Sequence, residues 1–185
     1  MLFRSAAACL NKAGMGVYST VQQARINRTK LFFQDRPNFM AQLAKEIKSA
    51  KKSAAKAGLK LLVRLNGTSD IAWEKIRVGD YRNLFEMFPD VQFYDYTKIV
   101  GRTVPENYHL TFSKSESNDA DVSVAIRNGL NVAVVFDKLP ETYLGRPVVS
   151  GDDSDIRVND PRGVVVGLKA KGPARKDLSG FVVFA

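Results

Sequence analysis

Between residues 60 and 136 the chain keeps returning to strand-length apolar runs, set apart by breaks and by stretches of helical character. The runs fall at 60–66, 91–97, 108–113 and 131–136, and the segments 70–76, 80–88 and 118–128 carry the helical pattern. Parallel neighbours cannot be joined by a tight turn, so helices between strands imply crossover connections. The expected fold is α/β, with a mostly parallel sheet and crossover helices, either open or a partial or distorted (β/α) barrel. A complete eightfold barrel typically takes about 250 residues. This chain has 185.

On either side of this region the signals are simpler. Asp35 is placed to cap a helix with Pro37 in its first turn, the segment to Ala57 is rich in strong helix formers, and Gly58 ends it. Phe39, Leu43, Ile47, Ala50 and Ala54 recur every three or four residues as the buried stripe. Residues 139–160 are full of turn signals and read as a long loop holding a short strand at 148–149, and strands at 163–168 and 180–184 close the sequence. Nothing resembles a linker, which predicts one domain over 1–185, a basic segment 1–34 leading into a main body 35–185. No apolar run approaches the roughly 20 residues that cross a bilayer, so no membrane partner is expected.

The net charge of +9 is unevenly placed. Residues 1–60 hold 12 Lys and Arg against only Asp35 and Glu46, whereas residues 61–185 hold 16 basic and 17 acidic side chains. The basic, acid-free start has the composition of a transit peptide, but helically spaced apolar residues from Val17 to Phe32 tie it to the following helix. Lys45, Lys48, Lys52 and Lys56 share one face of that helix. They make either a solvated surface or a stripe for nucleic-acid phosphates, with Tyr18 or Phe32 available for stacking. The single cysteine, Cys9, cannot form an internal disulfide and supplies too few thiolates for a metal cluster, so none is expected. A reducing, cytoplasmic compartment fits this usage.

The strand runs point to a site. Buried parallel strands are normally apolar on both faces, yet here Arg64 and Asn66 share a face on the first run, and Tyr94 and Tyr96 precede Lys98 on the second. His109, Thr111 and Ser113 alternate with Leu110 and Phe112 on the third. Ligands of parallel sheets bind where strands end. Arg64, Asn66, Asp70, Tyr94, Tyr96, Lys98, His109 and Ser113 are therefore expected to line a site for an anionic or nucleotide-like small molecule. The competing reading is a self-satisfied polar network, with Arg64 paired to Asp95 or Glu116. Lys169 and Lys171, in the run Gly167-Leu168-Lys169-Ala170-Lys171-Gly172, form the most phosphate-friendly loop, although no Gly-Lys-Ser/Thr ending is present. His109 has no companions at metal-ligand spacing, and Asp152, Asp153 and Asp155 read as a solvated turn. Residue patterns name no reaction.

Several blocks taken together, Arg64-Leu65-Asn66-Gly67-Thr68-Ser69-Asp70-Ile71, Phe93-Tyr94-Asp95-Tyr96-Thr97-Lys98 and Asn107-Tyr108-His109-Leu110-Thr111-Phe112-Ser113, with Ala7-Ala8-Cys9-Leu10-Asn11 before them, resemble the gene-product-88-like family of phage and prophage proteins. The resemblance spans nearly the whole chain and implies a phage or prophage origin in a bacterial cytoplasm, but no activity. It also implies that residues 7–31 belong to the domain. Longer members carry further cysteines before the position of Cys9, which implies a cysteine cluster in those forms. This chain would then be a short form, or a remnant that folds without its cofactor.

Overall fold

The computed structural model describes residues 18–185. Its first two elements form a helical hairpin. Helix α1, Ser19–Gln34, gives way after one residue to α2, Arg36–Lys56, because the Asp35 side chain accepts from the backbone N–H of Asn38 and Pro37 suits the first turn. Phe32 ties the two helices together, lying edge-on to Phe39 at 5.4 Å and to Trp73 at 5.6 Å. The stripe of α2 sinks Met40, Ala44 and Ile47 into the core, with Phe39 and Leu43 half-buried beside them.

The strands are β1 (Leu62–Val63), β2 (Gln92–Thr97), β3 (Tyr108–Ser113), β4 (Val132–Phe136), β5 (Thr142–Tyr143), β6 (Arg146–Ser150), β7 (Val165–Lys169) and β8 (Val182–Val183). They form one open sheet in the order β1-β2-β3-β4-β7-β6-β5. β7 takes one edge of β4 for its whole length, so the other edge is shared, first by β3 and then by β8. Every pairing is parallel except the β5–β6 hairpin. The four expected strands are thus parallel neighbours, and the sheet is not closed.

The connections are less helical than the sequence predicts. Helix α4, Asp119–Arg127, joins β3 to β4, but the segment 70–76 yields only a 3₁₀ turn at Trp73–Lys75. The segment 80–88 yields a single α turn, α3, Leu84–Met87, which starts where the Asn83 side chain accepts from the Glu86 N–H. Asp70 is pulled out of helix by its bonds to the end of β2. Residues 139–160 are more ordered than expected, since β5 and β6 make a hairpin there. Arg146 docks it by donating to the carbonyls of Leu130 and Ile126, at 2.7 and 2.8 Å, where α4 ends.

Alternation gives the sheet two different faces. Phe93, Tyr108, Leu110, Phe112, Val132, Val134 and Val165 point toward the helices and form the main core. The residues between them point the other way, and among these Val135 and Val182 pack against Ala174 of a 3₁₀ turn at Gly172–Lys176.

Candidate functional site

β6 and β7 are parallel neighbours, so the chain must travel the length of the sheet between them. It does so as residues 151–164, without regular structure, laid over the face away from the helices. Contact at the start is close: a Cβ on Gly151 would come within 2.6 Å of the Val166 side chain and 2.9 Å of that of Leu168.

Beneath the loop the register sets Tyr94 beside His109 and Tyr96 beside Thr111, with Arg64 following Val63 on the neighbouring edge strand. The Arg64 guanidinium lies 4.8 Å over the Tyr96 ring and donates through Nη1 to Asp155 of the loop. Arg157 points inward and is 2% exposed, its Nη1 3.2 Å from Asp160 Oδ2 as an ion pair, its Nη2 donating to the Ser154 carbonyl. Shielded polar atoms gather here. Arg64 Nε, His109 Nε2, Thr111 Oγ1 and Arg157 Nε have no hydrogen-bond partner among the described residues, and Arg157 Nη1 and Asp160 Oδ2 meet only each other, as an ion pair without hydrogen-bond geometry. Burial pushes the Tyr94 and Tyr96 hydroxyls above their ordinary range and holds His109 below it, which keeps all three uncharged at neutral pH.

The helix side also carries polar groups, but they satisfy one another. Arg102 grips Glu74 with two bonds of 3.0 and 2.6 Å and reaches Asp70 and Thr97 at 3.4 and 3.2 Å. Tyr108 donates to Asp95 Oδ2 at 2.8 Å, and the other Asp95 oxygen accepts from the Asn66 N–H at 2.7 Å. The Asn66 side chain accepts from Ser69 Oγ, the Ile71 N–H and Trp73 Nε1 and donates to the Ile71 carbonyl. Burial raises the Asp95 carboxyl to about 6 despite the Asn66 and Tyr108 bonds that pull it down.

The expected single pocket is therefore divided. Arg64, Tyr94, Tyr96 and His109 come together under the loop, with Ser113 further along the same face. Asn66 and Asp70 belong to the helix-side network, because the chain leaves strand geometry after Val63 and turns Asn66 toward Trp73. Lys98 is exposed, and only its backbone N–H reaches Asp70. Arg64 pairs with Asp155 rather than with Asp95 or Glu116. Lys171 is held at 2.8 Å by Asp152, and Lys169 offers Asp152 its backbone N–H. Lys45, Lys48, Lys52 and Lys56 are exposed on α2, and Cys9 lies outside the described residues.

Sequence reading missed Asp155, Arg157 and Asp160, which it assigned to a solvated turn or an unpatterned loop. The signal was available: two strand runs at 146–150 and 163–168 separated by no helical pattern leave a loop to cross the sheet, and that loop carries a buried arginine. No group of three or more His, Cys, Asp or Glu side chains among the described residues is arranged to hold a metal ion.

This architecture runs from Ser19 to Val183, and the sequence matches the gene product 88 family over residues 4–185. The chain belongs to the gene product 88 family. No curated protein and no solved structure matches it. Membership makes this a phage-type gene product and brings no reaction with it. Among the described residues, no helix of this gene product 88 protein is long and apolar enough to cross a membrane.

Proposed function

We propose that this protein binds a small anionic molecule between the 151–164 loop and the β1–β3 face of its sheet. The observation that carries the reading is the cluster of shielded, unpartnered polar atoms under the loop. Buried polar groups are nearly always paired, and leaving one unpaired costs about 1–3 kcal/mol. Several such groups at one place mark a position where function outweighs stability. Arginine cannot shed its proton and offers only donors, so the open donors of Arg64 and Arg157 call for an acceptor-rich partner. His109 Nε2 and Thr111 Oγ1 can each complete the contacts as donor or acceptor. Thr111 is fully buried, so a ligand enters only when the loop lifts.

Isothermal titration of the full chain with inorganic phosphate, pyrophosphate and AMP tests the reading. Saturable binding by at least one, lost in Arg157→Gln while the variant keeps its circular dichroism spectrum, is expected. No binding by any of the three would sink it. A second reading has one observation in its favour: Lys45, Lys48, Lys52 and Lys56 lie on the outward face of α2, opposite its buried stripe, as a stripe for the phosphates of a nucleic acid.

A further inference from the structure

The loop over the site is fixed at both feet, and in between, among the described residues, one side-chain hydrogen bond joins it to the sheet while Arg157 is buried beneath it. At its start, Asp152 accepts from the Lys169 N–H at 3.0 Å and pairs with Lys171. At its end, Asn131 donates to the Pro161 carbonyl at 2.7 Å and accepts from the Val164 N–H at 3.1 Å. The crest, residues 153–156, is exposed. Its link to the sheet is the bond from Arg64 to Asp155.

That pair is asymmetric. The Asp155 side chain is 64% exposed and the Arg64 side chain 21%. Asp155 loses little by returning to water, since pairs with an exposed carboxylate are weak. Arg64 stays in place without it, because its guanidinium rests on the Tyr96 ring. Asp155 also uses Arg64 incompletely: it takes Nη1 alone, and neither Nη2, which completes that terminal edge, nor Nε has a hydrogen bond among the described residues. A free oxyanion can engage both N–H groups of one guanidinium edge, whereas Asp155 makes a single contact from the loop crest.

We propose that Arg64 is the anion-recognition residue of this site and that Asp155 occupies its place as a built-in competitor. An incoming phosphate or carboxylate group takes the Nη1–Nη2 edge of Arg64, Asp155 swings into solvent, and the crest lifts about its two feet to admit the ligand to His109, Thr111 and Arg157. This inference rests on the ligand reading above. It adds to that reading which residue recognises the charge and what guards it.

The test compares wild type, Asp155→Asn and Arg64→Gln, titrated with inorganic phosphate, pyrophosphate and citrate, with hydrogen exchange of the 151–160 amides followed in parallel. Asp155→Asn is expected to bind the preferred anion about tenfold more tightly, the gain from freeing a site occupied roughly nine-tenths of the time. Its crest amides should exchange faster without any anion. In wild type the anion itself should speed exchange at the crest, and in Arg64→Gln it should neither bind nor change exchange. The better of phosphate and citrate identifies the head group. If wild type binds an anion and Asp155→Asn binds it no more tightly, the competitor role falls and the ligand reading stands. If neither wild type nor Asp155→Asn binds any of the three, both fall together.

Discussion

Thr111 and Asp95 sit on adjacent strands, face opposite sides of the sheet, and lead to opposite expectations. Thr111 is fully buried with its hydroxyl unpartnered, so an isosteric methyl removes a penalty and no bond. Thr111→Val should raise the melting temperature of the ligand-free protein, by the equivalent of about 1–2 kcal/mol, while weakening anion binding. A fall in melting temperature would show that the hydroxyl is paired. Asp95 is also fully buried, but both its oxygens accept hydrogen bonds. Its carboxyl, at an ordinary 3.8 when unfolded, is raised to about 6 in the fold. Between those values the folded state binds the proton and the unfolded state does not, so this group makes stability fall as pH rises, by up to about 3 kcal/mol at pH 7. Urea unfolding should show the protein gaining this increment from pH 7 to pH 4, beneath the contributions of other groups. In Asp95→Asn that part of the slope should vanish, and an unchanged slope would assign it elsewhere.

Among the elements, those built on strong period or composition were legible in the sequence: α2, α4 and β2 to β4 stand where the pattern put them, while β1 keeps only Leu62–Val63 of its expected run 60–66. What the pattern could not show is where local rules yield to tertiary bonds. Asp70 abandons a helical segment to bind Thr97 and the Lys98 N–H, and Asn66 leaves its strand face to hold Trp73, so two of the expected site residues end on the other side of the sheet. The β5–β6 hairpin was hidden for a different reason. Its two-residue turn is Leu144-Gly145, with φ of 53° and 70°, and a positive φ at both positions is the type I′ geometry that Asn-Gly ordinarily signals. Leu144 is 47% exposed and bears that strain without packing in return. Leu144→Asn should therefore stabilise the protein by roughly 0.5–1 kcal/mol, read as a shift in the urea midpoint at constant slope. Gly151 is the contrary case: Gly151→Ala drives a methyl into Val166 and Leu168 and should cost about 1–3 kcal/mol. It should also loosen the loop, measured as faster exchange at 151–160, and an unperturbed loop would mean that the foot is not where it is fixed.

At the scale of the whole molecule the charge is divided along the chain, and the fold keeps the division in space. The helical hairpin takes most of the surplus, while residues 61–185, with 16 basic and 17 acidic side chains, are close to neutral and hold the loop-covered face. A small anion and a nucleic acid would thus meet different parts of one protein, and the two readings separate cleanly by mutation. On α2, Lys45, Lys48, Lys52 and Lys56 lie opposite the stripe that sinks Met40, Ala44 and Ile47, so reversing them touches neither the core nor the site. Each phosphate neutralised on a duplex releases condensed counterion, and the logarithm of the binding constant falls with that of salt by about 0.9 per contact. If the stripe binds nucleic acid, the Lys45→Glu, Lys48→Glu, Lys52→Glu triple variant should bind duplex DNA or RNA far more weakly at low salt. Its salt slope should be shallower by about three. Its affinity for inorganic phosphate should match that of wild type, because Arg64 and Arg157 are untouched. Equal retention of both proteins on duplex at low salt would leave the lysines as a solvated face, and the function would rest on the loop-covered site alone.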